Sequence, residues 1–190
     1  MSGPELEPGL EFAGSPDAFQ RLWTPHRMVY IGGAGKPASD AAQHCPFCEL
    51  PGRDDRDGLI VARGELVYAV LNLYPYNPGH LMVVPYRHLA DYTELSEAEA
   101  AELVGYTQRA MTALRAAAGP QGFNLGINQG AAGGAGIAAH LHQHVVPRWG
   151  GDMNFMPVIG QTRVLPQLLA DTRDLIAQAW SALDPVRPPS

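Results

Sequence analysis

His140-Leu141-His142-Gln143-His144-Val145-Val146, closed by Pro147, is the stretch on which the reading of this chain turns. In an extended strand successive side chains point to opposite faces, so His140, His142 and His144 fall on one face and Leu141, Gln143 and Val145 on the other. Three of the chain's seven histidines then line one edge of a site. Such a row can bind a metal, deliver a nucleophile or hold a phosphate by charge-assisted hydrogen bonds.

The segments leading into this stretch have their own patterns. Gly130-Ala131-Ala132-Gly133-Gly134-Ala135-Gly136 is a glycine-rich turn, and before it Phe123, Leu125 and Ile127 alternate with Asn124, Gly126 and Asn128, as in a half-buried strand. Ser96-Glu97-Ala98-Glu99 is a capping box that predicts the start of a long helix. Leu103, Thr107, Ala110, Met111 and Leu114 give that helix a core stripe, and Gly119-Pro120 stops it.

Further upstream, Leu59-Ile60-Val61-Ala62 and Leu66-Val67-Tyr68-Ala69-Val70-Leu71 read as a hairpin around Arg63-Gly64-Glu65. Pro75 and Pro78 make residues 72–79 a rigid loop, because each proline removes a ladder donor. His80-Leu81-Met82-Val83-Val84-Pro85 follows as a third strand, with His80, Met82 and Val84 on one face. A short helix is expected over residues 17–23, and helical spacing runs over 165–183 through Leu168, Leu169, Thr172, Leu175, Ile176, Ala179 and Leu183. Neighbouring strands with one long helix inserted argue an α+β fold with an antiparallel sheet. The expected organisation is a mobile tail over residues 1–16, one domain over 17–183 and a proline-rich tail over 184–190.

Composition narrows the function classes. The chain has 190 residues, 46% hydrophobic and 17% charged, enough for one core. A net charge of −6 with Lys36 as the one lysine argues against nucleic acid and anionic membrane as partners, so a phosphorylated ligand needs local donors. The acidic N-terminal stretch is no secretory signal, and no apolar run of membrane-spanning length occurs, so a cytoplasmic location is the default. In a reducing compartment Cys45-Pro46-Phe47-Cys48 reads as a metal hook or a redox pair before a structural disulfide.

The histidine stretch resembles the signature of the histidine-triad family of nucleotide hydrolases and transferases, in which histidines alternate with apolar residues and two apolar positions close the motif; Gln143 departs from that pattern. Residues 72–85 resemble the family's nucleotide-binding strand and loop, and Asn128 with the glycine turn resembles its phosphate-side strand. The resemblance covers about residues 20–180 and implies a HIT-like antiparallel sheet of about five strands. Arg148-Trp149-Gly150-Gly151-Asp152, Arg21-Leu22-Trp23-Thr24-Pro25 and Leu165-Pro166-Gln167-Leu168-Leu169 resemble the family's actinobacterial diadenosine tetraphosphate phosphorylase branch.

The resemblance implies a covalent mechanism on dinucleoside polyphosphates, with His142 as the nucleophile that carries the nucleotidyl group. His144 is implied as the donor that stabilises charge on phosphate or leaving oxygen. Inorganic phosphate or water would accept the group in the second step, and an amine-linked leaving group would make the same nucleophile that of a nucleoside phosphoramidase. Asn72 matches a ribose-contacting position, His80 lies near the nucleotide pocket, and Asn128 with the amides around Gly134 and Gly136 would add neutral donors. Leu71, Leu73 and Val84 are candidates for a wall against the base, or else ordinary core. The family often carries serine where this chain has Gly136. Arg148 would face distal phosphates, and Trp149 would stack on an adenine or pack a dimer contact. By the same resemblance Cys45, Cys48, His88 and His140 form a closed structural zinc set. A homodimer joined through its sheets is expected. Two other classes stand beside this reading: a zinc-stabilised nucleotide-binding protein without turnover, and a metallohydrolase with metal at His142 and His144, which lacks nearby carboxylates.

Overall fold

Five strands and three helices carry the described residues, 45–152 and 168–183, of the computed structural model. They are α1 (Pro46–Glu49), β1 (Ile60–Arg63), β2 (Val67–Leu71), β3 (Leu81–Pro85), α2 (Glu97–Ala118), β4 (Gly122–Ile127), β5 (Gln143–Arg148) and α3 (Leu169–Ser181). The expectations for residues 1–44, 153–167 and 184–190 lie outside the described residues. The strands form one antiparallel sheet in the order β1-β2-β3-β5-β4, the α+β architecture expected. Among the described residues no helix is long and apolar enough to cross a membrane.

The sheet separates two environments. Val67, Ala69, Leu71, Leu81, Val83 and Val145 point to one face, where they pack against Leu103, Ala110 and Leu114 of α2 and Ile176 and Trp180 of α3. The opposite face carries Ile60, Tyr68, Val70, Met82 and Val84 under Cys45 and Phe47 of the hook. The period of two thus sends aliphatic residues to the helices and leaves the other face for the histidines. Leu71, a candidate wall for a bound base, belongs instead to the helix side.

α2 begins as the capping box predicts: Ser96 Oγ accepts from the Glu99 amide at 3.2 Å, and Glu99 Oε2 accepts from the Ser96 amide at 2.8 Å. Gly119 closes it in the left-handed region at φ 59°, which a Cβ would strain. Ser96→Ala is expected to cost about 1 kcal/mol, read as a lower urea midpoint at unchanged slope. An unchanged midpoint would show that the Arg87 guanidinium, paired with both oxygens of the Glu99 carboxylate, holds the turn without the cap.

The start of β5 and the buried stripe of α3 differ from the sequence reading. The alternation suggests a strand from His140 through Val146, but regular pairing begins at Gln143 and continues through Pro147 to Arg148. The Leu141 amide leaves the ladder to donate to the Leu89 carbonyl at 2.7 Å, and Pro147 sits inside the strand opposite Phe123. In α3 the buried positions are Thr172, Ile176 and Trp180, while Leu168 and Leu175 are exposed. The Trp180 indole, packed 5.3 Å from the Tyr106 ring, selects a stripe that leaves those leucines in solvent.

Candidate active site and metal centre

The hook forms because Pro46 occupies the first turn of α1, where a missing amide costs nothing, and the Cys48 and Glu49 amides close onto the Cys45 carbonyl at 3.0 and 3.1 Å. Cys45 Sγ then lies 3.3 Å from His140 Nδ1, and Cys48 Sγ lies 3.3 Å from His88 Nδ1 and 3.5 Å from His140 Nδ1. One ligand atom from each of the four residues falls within 4.8 Å of every other, close enough to bind a metal ion. His140 Nε2 donates to the Pro85 carbonyl at 2.9 Å, which leaves Nδ1 bare toward the sulfurs. Both cysteines are free, and burial, then the neighbouring Cys45, pushes the Cys48 thiol up to about 11. A bound dication supplies the positive charge that reverses this, so the donor set fits a metal.

The other histidines form a chain of fixed tautomers on the same face. His142 Nδ1 donates to the His140 carbonyl at 2.8 Å, leaving Nε2 without a proton. The Tyr76 amide donates to His80 Nδ1 at 3.1 Å, with the Asn72 side-chain amide at 3.4 Å from the same nitrogen. The His80 proton therefore sits on Nε2, which donates to His144 Nδ1 at 2.9 Å. That assigns the His144 proton to Nε2. The diagonal contact follows from register, since Met82 pairs with His144 and His80 is two residues before Met82.

Burial keeps the His142 and His144 rings neutral near pH 7. It lowers the His142 pKa against the opposing effect of the His140 carbonyl, and together with nearby His142 it brings His144 down to about 4. An unprotonated nitrogen on His142 and an N–H donor on His144, with rings 5.0 Å apart, are what nucleophilic attack on a phosphoryl group requires.

Other candidate residues take distinct places. Asn72 Oδ1 accepts from the Tyr74 amide at 2.9 Å, an Asx turn that shapes the loop before His80. Asn128 directly follows the last β4–β5 pair, Ile127 with Gln143. Gly134, at φ 83°, closes the turn through its amide to the Ala131 carbonyl at 3.0 Å, and Gly136 lies just beyond it. Gln143, the departure from the family pattern, faces the helices and donates to Thr107 Oγ1 at 2.9 Å.

Arg148 and Trp149 have partners that spacing does not reveal. The Arg148 guanidinium clamps Asp152 through Nε at 2.6 Å and Nη2 at 2.9 Å, and its Nη1 meets Asn124 Oδ1 at 2.6 Å. Asp152, held well below the usual carboxylate range chiefly by Arg148, also accepts from Asn77 at 2.8 Å. Trp149 Nε1 donates to the Ala118 carbonyl at 3.2 Å, at the end of α2. Arg148 thus has its charge matched within the protein, and Trp149 ties the chain after β5 to the helix layer. Two site residues lie inside motifs that give them no role of their own: Tyr76 lies 4.8 Å from the His80 ring and Phe47 5.0 Å from that of His142. Their place between prolines and between cysteines is the one signal that marks them.

Over residues 53–151, just over half of the chain, the sequence matches the HIT domain. The chain belongs to the HIT family. The cysteine hook lies upstream of the matched range. A relative from Mycobacterium tuberculosis, named AP-4-A phosphorylase, is 54% identical over 171 residues, covering 88% of each chain. A Zn-bound histidine triad family protein from Mycobacterium smegmatis is 27% identical, with a TM-score of 0.62 over 75% of this chain and 97% of its own. A hypothetical histidine triad nucleotide-binding protein from Sulfolobus tokodaii, 26% identical, superposes with a TM-score of 0.60 over 73% of this chain and 93% of its own.

Proposed function

We propose that this HIT protein cleaves dinucleoside polyphosphates through a nucleotidyl-His142 intermediate, with inorganic phosphate as the acceptor. The observation that carries the proposal is the His142 tautomer: Nδ1–H on the His140 carbonyl and a bare Nε2. The relative named AP-4-A phosphorylase supports diadenosine tetraphosphate as the substrate.

In the first step His142 Nε2 attacks the α-phosphorus and the bond to the bridging oxygen breaks. The polyphosphate leaves as an anion, stabilised by a hydrogen bond from His144 Nε2–H. The His140 carbonyl stabilises the positive charge that develops on the His142 ring. In the second step a phosphate oxygen attacks the same phosphorus and the N–P bond breaks, returning the neutral imidazole. Diadenosine tetraphosphate and phosphate thus give ATP and ADP. Asn72 is assigned to the ribose, and Asn128 with the amides of the Gly134 and Gly136 turn to phosphate oxygens. Arg148 and Trp149 contribute by holding the chain that follows β5.

The metal is assigned as zinc, held by Cys45, Cys48, His88 and His140. Around tetrahedral zinc, bonds of about 2.0–2.3 Å put ligand atoms roughly 3.3–3.8 Å apart, a range that accommodates the sulfur–nitrogen spacings above. Four protein ligands leave no position for water, so its chemistry is structural. A cytoplasmic homodimer is proposed, with β4, an edge strand carrying half-exposed Leu125, as the joining edge.

The test is product chromatography after mixing the protein with diadenosine tetraphosphate, with and without inorganic phosphate. ADP and ATP formed only with phosphate support the proposal. AMP and ATP in both tubes would make water the acceptor, and no product in either would favour a binding protein. A companion measurement concerns His80. His80→Leu is expected to lower kcat about 10- to 100-fold at little change in KM, because His144 loses the donor that fixes its tautomer. His80→Gln, which retains an N–H donor, should recover most of the rate; equal loss in both variants would make the role one of packing alone.

A further inference from the structure

Phe47 stands between the two cysteines, and its ring is buried at 5% exposure. The ring lies 5.0 Å from that of His142 at 43° and 5.5 Å from that of His140 at 71°. Its backbone is held as firmly as its ring: the hydroxyl of Tyr68, a fully buried residue of β2, donates to the Phe47 carbonyl at 2.7 Å. The hook that brings two sulfurs to His140 and His88 therefore also lays an aromatic ring against the residue placed as the nucleophile.

An imidazole retains a broad, roughly two-fold torsion about its Cβ–Cγ bond. The bond from Nδ1 to the His140 carbonyl favours one setting, but a half-turn exchanges Nδ1 for a carbon and carries Nε2 away from its attacking position. A rigid wall beside the ring opposes that turn. Phe47 is suited to the task because it is flat and apolar: it excludes water from its side of the imidazole and offers no proton to compete for Nε2. We propose that Phe47 is a positioning residue for His142, and that the Cys45–Cys48 hook holds the nucleophile through two contacts, the Phe47 ring and the His140 carbonyl. This rests on the reading of His142 as the nucleophile. Ordering of the hook and orientation of the attacking nitrogen are then one conformational state.

The test uses the full chain with its metal, in wild-type, Phe47→Leu and Phe47→Met forms. Leucine removes the flat wall, and methionine keeps an unbranched apolar filler as the milder change. Metal per chain and melting temperature are measured first, then the histidine nitrogen–proton correlation spectrum of the free protein, with the His142 signals assigned by difference from His142→Asn. The expected result is wild-type metal content, a His142 Nδ1–H signal that broadens or exchanges faster, and a kcat lowered about 10- to 100-fold with KM within about threefold. Methionine should give a smaller effect in the same direction.

An unchanged Nδ1–H signal with wild-type kcat in both variants would overturn the proposal. So would loss of metal, or a rise in KM alone, since the ring would then serve the hook or contact substrate. The spectrum requires no substrate, which separates the two readings. Should wild type fail to turn over dinucleoside polyphosphate while the His142 signal still responds to Phe47, the substrate assignment fails and the positioning contact stands. Turnover by wild type with no response to Phe47 means the reverse: the substrate assignment stands and the positioning contact fails.

Discussion

His142→Asn is expected to reduce turnover of diadenosine tetraphosphate by about four orders of magnitude or more while leaving nucleotide affinity within about tenfold. Asparagine is close in shape to the first part of the imidazole, and its amide can donate to the His140 carbonyl as His142 Nδ1 does at 2.8 Å. What it lacks is a bare ring nitrogen able to bond phosphorus, so ground-state contacts remain and the covalent step is lost. The comparison needs single-turnover kinetics with rapid quench, and a direct binding titration against the same variant. Residual turnover within about tenfold of wild type would remove His142 from the chemistry. Equal inactivity of wild type and variant, with binding retained in both, would favour a nucleotide-binding protein.

Removing the metal acts through stability first. Cys45→Ser should abolish stoichiometric metal binding and lower the melting temperature by about 10 °C or more, since losing a structural metal costs several kcal/mol and each is worth about 2–4 °C in a chain of this size. Cys45 is fully buried and its sulfur lies 3.3 Å from His140 Nδ1, so a serine hydroxyl there is a poor ligand and a poorly solvated polar group. A chelator should lower the melting temperature of wild type by a similar amount and leave the variant unmoved. A shift in the variant of the same size as in wild type would place the metal elsewhere. Turnover should fall with metal loss, because His140, one of the four residues close enough to bind a metal, also supplies the carbonyl that His142 Nδ1 donates to.

The two experiments probe different properties of one sheet face. His142 is replaced without disturbing the hook, and the effect appears in a rate; Cys45 is replaced far along the chain, and the effect appears in the fold and then in the rate. The short span from His140 to His142 joins them.

The features legible in the amino-acid order alone are local. Ser96 and Glu99 specify a helix start because their groups meet within one turn, and Gly119 specifies its end because few other residues tolerate that backbone. Period-two alternation sorted the β-strand residues between two faces, and the prolines around Tyr76 kept that segment out of the sheet. The candidate histidines were legible as a row, and their match to a known family carried the fold and the proposed chemistry. The partners of these residues depend on how the elements pack. His80 meets His144 across 64 residues through the register of β3 and β5, and Phe47 meets His142 only because the hook folds over the same sheet face. Arg148 is bound to Asp152, Trp149 to the end of α2 and Gln143 to Thr107, none of which follows from periodicity. Periodicity dictates which way a side chain points; strand order and register dictate what it finds there, and with that which imidazole nitrogen carries the proton.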